Sequence, residues 1–142
     1  MCRAAEVRGW FEHVSDLTAT VTVDGEPRLA LAADLESLAV AQPARGVRLT
    51  AGFDQYVLGP GTDDESIVAP HRRAAVSRTA GWISPLLFDA GRVAGVWSRE
   101  GEQLVVTRFS ESRRIGARAL GTEARRVGAA LRRKLTLVVV TG

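Results

Sequence analysis

The sequence predicts an α+β fold, and three observations carry that expectation. A short N-terminal helical face runs straight into an alternating, β-branched segment that ends at Asp24-Gly25. Strand-like runs between residues 83 and 109 are punctuated by glycine turns. An amphipathic helical segment follows, and Leu135–Val140 closes the chain. At 142 residues such a chain can bury roughly 70% of its unfolded surface. Its apolar and charged fractions, 46% and 25%, are those of an ordinary globular protein.

The elements follow in order. Val7, Trp10, Phe11 and Val14 recur at helical spacing, which predicts a helix over 6–14. Leu17–Val23 alternates and is rich in Thr and Val, as strands are. Asp24-Gly25 is a hairpin turn signal, because both residues tolerate positive φ. Arg28–Ala32 is the return strand, with Pro27 at its edge or start. A helix followed by a two-stranded hairpin is how a winged-helix unit ends, and the two helices that would precede it are missing. Leu35–Ala41 reads as a short helix with Asp34 as its cap. The loop Gln42–Gly46 is the expected boundary. Residues 1–41 are therefore expected to be a partial winged-helix unit, and 46–142 a β-rich domain with a C-terminal amphipathic helix.

In the second part, Val47–Leu58 begins extended and turns near Asp54, and Gly59–Glu65 is an acidic loop. An antiparallel meander is expected over Ile83–Phe88, Arg92–Trp97 and Gln103–Phe109. Ser110 is positioned to cap a long helix with Glu111 in its first turn. Leu120, Ala124, Val127 and Leu131 share one side of that helix. Arg114, Arg118, Arg125 and Arg132 share another, about 130° away at 100° per residue, and Arg126 and Arg133 extend it.

Charge is distributed unevenly. Eighteen of the nineteen basic residues are Arg, a bias that high-GC codon usage also produces. Residues 111–142 hold seven Arg and Lys134 against Glu111 and Glu123, a net of +6, whereas residues 1–110 hold eleven Arg against fourteen acids, a net of −3. The single Cys2 cannot form an internal disulfide, which fits a reducing compartment. With no apolar signal core at the start and no run long enough to span a bilayer, the cytoplasm is the expected location and no membrane partner is expected.

Four blocks stand out in order: L-T-A-G-F-D-Q-Y-V-L-G from Leu49, V-A-P-H-R-R from Val68, G-W-I-S-P-L-L-F-D-A-G-R-V-A-G-V-W-S-R-E from Gly81, and Q-L-V-V-T-R-F from Gln103. Together they resemble the C-terminal half of the bacterial winged-helix DNA-binding proteins related to crosslink-unhooking DNA glycosylases. The resemblance covers roughly residues 5–134 and is most specific at 53–59 and 91–97, with an additional Ala90 in the D-G turn of the third family block. It implies a role in DNA repair and a double-stranded DNA partner. The glycosylase branch carries a Gln-x-Asp or Gln-x-Gln motif near its N-terminus, where the side chain positions water against the sugar. Gln42, Gln55 and Gln103 do not stand in such a motif, so no catalytic residue is assigned, and neither a cofactor nor a metal is expected.

The expected nucleic-acid contacts are Arg114, Arg118, Arg125 and Arg132, which read either as a solvated helix face or as a phosphate-tracking stripe. To these we add Arg72 and Arg73 in the basic knot after Pro70, and Arg92 and Arg99 beside hairpin turns. Trp82, Trp97 and Phe109 could stack on bases but are read as core, since each lies among strand-forming apolar residues. Asp54 is read as fixing a turn beside Tyr56. Asp63, Asp64 and Glu65 lack the spacing of a cation loop, and His13 and His71 lack zinc spacing. The function expected is DNA binding by a truncated relative lacking the catalytic half. The alternatives are an accessory subunit completing a glycosylase, or a protein-interaction module. The uncovered face of Val7, Trp10 and Phe11 would need a homodimer or an N-terminal-half partner.

Overall fold

The structure, a computed structural model, describes residues 4–142; Cys2 lies outside them. The chain folds as two compact units, 1–42 and 43–142, in an α+β arrangement. In the first unit, α1 (Ala4–His13) leads through a 3₁₀ turn to the hairpin β1 (Thr18–Val23) and β2 (Glu26–Leu31), and a second 3₁₀ turn enters α2 (Leu35–Ala39). The hairpin register runs from Thr18 opposite Leu31 to Val23 opposite Glu26. Its two-residue turn has φ 51° at Asp24 and 84° at Gly25, the doubly positive geometry that matches strand twist. Asp34 does not cap α2 with its side chain. The 3₁₀ turn Ala32–Asp34 runs directly into the helix, leaving Asp34 at φ −94°, ψ −6° instead of the extended conformation a capping residue needs. Among the described side chains of this unit none is buried. Trp10 is 63% exposed, and Phe11, Leu17, Leu29, Leu31, Leu38 and Val40 also face outward.

The second unit is built on a five-stranded sheet in the order β3-β4-β5-β6-β7. Its strands are β3 (Val47–Thr50), β4 (Leu86–Asp89), β5 (Arg92–Glu100), β6 (Gln103–Arg108) and β7 (Thr136–Thr141). The first four pair antiparallel, as the turn chemistry predicts. The closing strand β7 runs parallel to β6, Gln103 opposite Thr136 and Thr107 opposite Val140, so the sheet is mixed. The reason is the intervening helix α5 (Ala117–Ala130), since a helical crossover returns the chain in the same direction.

Side chains alternate across β4, and this defines two cores. Leu87 joins Val47, Leu49, Leu104, Val106 and the Leu120–Val127 face of α5. Leu86 and Phe88 point the other way, onto Val57, Val68 and Val76. Those three come from α3 (Gln55–Leu58), the loop after it, and α4 (Arg73–Val76). Asp54 caps α3 by accepting the Tyr56 N–H at 3.0 Å, as expected of an Asp at a turn.

Helix α5 is shorter than its sequence pattern. Ser110 does not cap it; its N–H is bonded to the Gly142 carbonyl. Residues 110–116 form an irregular strap, tied where Arg113 grips the buried Asp89 through both oxygens and where Arg108 donates to the carbonyls of Phe109 and Ser112. The helix begins only after Gly116, which is extended. It ends in a double hydrogen bond, Arg133 N–H to Gly128 and Arg132 N–H to Ala129, the Schellman arrangement. Arg132 therefore lies outside the helix at φ 53°. Leu131, expected in the core face, is exposed at the C-cap for the same reason.

Candidate nucleic-acid interface

The eight arginines singled out by sequence do not form one surface of one kind. Arg118 and Arg125 are on α5, whereas Arg114 precedes it and Arg132 follows it. All four are exposed. The side chains of Arg114, Arg118 and Arg132 make no hydrogen bond or ion pair among the described residues, and Arg125 donates to the Thr122 hydroxyl at 3.0 Å. Arg92 is likewise exposed at the β4–β5 turn without such a partner, and Arg99 donates to the Gly101 carbonyl at its own turn.

The basic knot is folded onto an acid. Arg72 donates to both oxygens of Glu111, at 2.8 and 2.6 Å, and to the Gly142 carbonyl at 3.1 Å. Its guanidinium lies 4.4 Å from the centre of the Phe109 ring. His71 Nε2 lies 2.9 Å from the same carboxylate. The Arg72 hydrogen bonds, followed by smaller backbone, His71 and charge contributions, hold the Glu111 carboxyl well below the usual carboxylate range. Arg73 reaches the Thr62 carbonyl at 3.0 Å. Internal partners therefore occupy Arg72 and Arg73, while the side chains without partners are Arg118 on α5, Arg114 and Arg132 beside its two ends, and Arg92 at the β4–β5 turn.

Sequence reasoning missed the acid that organises α5. Glu123 is 3% exposed and lies about 60° from Leu120 around the helix, at the margin of the core face. One oxygen accepts the backbone N–H of Leu49 at 2.9 Å. Arg126 donates to that carboxylate at 3.0 and 2.8 Å and also to the Leu49 carbonyl, while Arg48 reaches the other oxygen at 3.2 Å. Burial acts to raise the Glu123 pKa, but the Arg126 bonds, the Leu49 N–H and the two guanidinium charges together hold it below its ordinary value. Arg126, grouped by periodicity with the stripe, is turned toward the sheet. The available signal was the i, i+3 spacing of Glu123 and Arg126, which places an acid and a base side by side on a helix.

The aromatic residues divide. Phe109 is buried. Trp97 packs against the α5-side core and donates its indole N–H to the Thr50 carbonyl at 2.8 Å. Trp82 was expected in the core and is not there: it is 50% exposed and meets Phe53 edge-on at 5.1 Å. It follows a positive-φ turn at Ala80 and Gly81 and precedes β4, so the alternation that buries strand residues does not reach it. Among the described residues no group of three or more His, Cys, Asp or Glu is placed to hold a metal ion. No helix there is long and apolar enough to cross a membrane.

This arrangement, a helix and hairpin followed by a mixed sheet with an arginine-bearing helix, is that of a DNA-glycosylase-like protein part. The family described as DNA glycosylase AlkZ-like matches residues 1–139, and the chain belongs to it. It is similar to an interstrand DNA cross-link repair glycosylase of Streptomyces sahachiroi, 46% identical over 125 residues, which is 88% of this chain and 34% of that protein. It is also similar to the solved structure of Streptomyces sahachiroi DNA glycosylase AlkZ, with TM-score 0.90 and 42% identity, covering 98% of this chain and 38% of that one. The chain thus spans about a third of the length of the relatives it matches.

Proposed function

We propose that this chain, as a member of the AlkZ-like family, binds double-stranded DNA, and that residues 1–142, which carry no Gln-x-Asp or Gln-x-Gln motif, supply DNA contacts and not the bond-breaking group. The observation that carries the reading is the set of unpartnered, exposed guanidiniums at Arg114, Arg118, Arg132 and Arg92 in a chain of this family. A free guanidinium fork on a surface with net positive charge is suited to phosphate oxygens. Arg125 and Arg99 keep spare donors beside their single internal bonds and extend the contact set. Arg72 and Arg73 belong to the set only through donors their internal partners leave free.

Anisotropy titration of a labelled duplex across a salt series tests the reading. Binding that weakens along a linear log–log salt dependence, with little dependence on base sequence, is the expected outcome. Absence of binding at low salt would remove the proposal. The uncovered apolar side chains of the first unit, Val40, Trp10 and Leu17 foremost, favour a second reading beside it. In that reading the chain serves as an accessory subunit and a partner polypeptide, or a second copy, supplies the cover.

A further inference from the structure

Resting on the DNA-binding reading, we infer that the principal phosphodiester site is the seam between β3 and α5, centred on Arg48, and not the outward stripe of α5. Two hollows adjoin there. One, of about 470 Å³, is lined by Arg48, Arg118, Thr122 and Glu123 among others. The other, of about 580 Å³, shares Arg48, Thr122 and Glu123 and adds Arg126. Together they make one open groove with three guanidiniums along it.

The groove has the features of a prearranged anion site. Arg48 is 68% exposed yet anchored, because only its Nη1 is used, toward Glu123 and the Val47 carbonyl. Arg126 is 52% exposed and anchored through Nε and Nη2. The remaining N–H groups of both forks are left for an external acceptor. A guanidinium already fixed by a buried carboxylate loses less rotamer freedom on binding phosphate than a free one. The Arg118 guanidinium makes no internal hydrogen bond among the described residues and adds positive charge to the first hollow. The buried Glu123 is shared between two arginines and Asp54 also lines the second hollow, so three guanidiniums against two carboxylates still leave the groove cationic, by one charge. The stripe has no comparable anchor: Arg114 and Arg132 are off the helix and unheld.

The test compares two double variants of the full chain that remove the same charge. R48A/R118A should lower the slope of log affinity against log salt by close to two units. At 0.1 M salt it should cost roughly tenfold per lost contact. R114A/R132A should change the slope by less than one unit. R118A alone, which breaks no internal contact, should lose about half the effect of R48A/R118A and guards against a folding defect caused by Arg48. If R48A/R118A and R118A bind as the parent does while the parent shows the salt-dependent binding, the seam assignment is wrong and DNA binding stands. If R114A/R132A loses as much as the seam variant, the seam is not the principal site. If the parent does not bind duplex at all, both the seam and the broader reading fall.

Discussion

The Glu123 carboxylate accepts the backbone N–H of Leu49 at 2.9 Å, so a helix side chain occupies the place of a neighbouring strand. Leu49 lies on β3, at one edge of the sheet, and its carbonyl receives Arg126 from the same helix. An open edge is a template for pairing with other chains. Here one acid and one base, three residues apart, satisfy its outward N–H and C=O groups and fasten α5 over the core.

Removing that acid should be costly. Glu123→Ala leaves a buried N–H without an acceptor and deprives Arg126 and Arg48 of their counter-charge. Losing one partner of such a buried pair costs about 3–5 kcal/mol. Glu123→Gln should cost less, because its amide oxygen still accepts from Leu49. Urea denaturation at neutral pH measures both, and equal stability of Glu123→Ala and the parent would contradict the role.

The pH dependence has a definite sign. The Glu123 carboxyl is held below its ordinary value in the folded chain. Its contribution is therefore complete above the unfolded carboxylate value of about 4.3, and is lost as pH falls through the lower folded value. The stability difference between the parent and Glu123→Gln should be constant from pH 7 to about 5 and shrink below about 4. A difference that grows with acidification would reverse the assignment.

What was legible in the sequence was local. Asp24-Gly25 announced a hairpin and Asp54 announced a turn, since the chemistry of each acts within two residues. The core face of α5 was legible through Leu120, Ala124 and Val127 because periodicity alone sets it. The illegible features depend on partners far along the chain. Arg113 is drawn out of the helical pattern by Asp89, Arg72 is consumed by Glu111, and Glu123 is buried by Leu49. The parallel course of β7 was equally hidden, because a strand's apolar pattern does not encode its direction.

The chain alone should release no base from alkylated or crosslinked duplex. Its three Gln residues are followed by Pro43-Ala44, Tyr56-Val57 and Leu104-Val105, so none supplies the water-positioning pair of the related glycosylases. Incubating purified protein with damaged duplex and resolving freed base by chromatography checks this. Multiple turnovers would require a catalytic group elsewhere in the chain.

Arg132→Gly should stabilise the protein. Arg132 holds φ 53° at the position after the helix cap where glycine is preferred, and a left-handed L-residue pays roughly 1–2 kcal/mol. Glycine's larger unfolded-state entropy returns part of that, leaving a gain of about 0.5–1 kcal/mol. Thermal melting reads it as an increase of a few degrees. The side chain makes no hydrogen bond among the described residues that would offset the gain, so an unchanged or lowered Tm would count against the strained cap.

The two tryptophans of the second unit should respond differently to truncation. Trp97 packs on the α5-side core and its indole N–H is bonded to Thr50. Trp97→Ala removes buried surface, opens space beside that core, and leaves the Thr50 carbonyl without that donor, at a cost of about 3–5 kcal/mol. Trp82 is half exposed and its ring contact is Phe53. An edge-on pair contributes about 0.5–1.5 kcal/mol beyond its buried area, so Trp82→Ala should lower stability by about 1–2 kcal/mol. Urea titration of both variants at one temperature gives the comparison directly. A Trp82→Ala loss equal to that of Trp97→Ala would place the Trp82 ring in the core, where strand alternation first suggested it, and would contradict its exposed position beside Phe53.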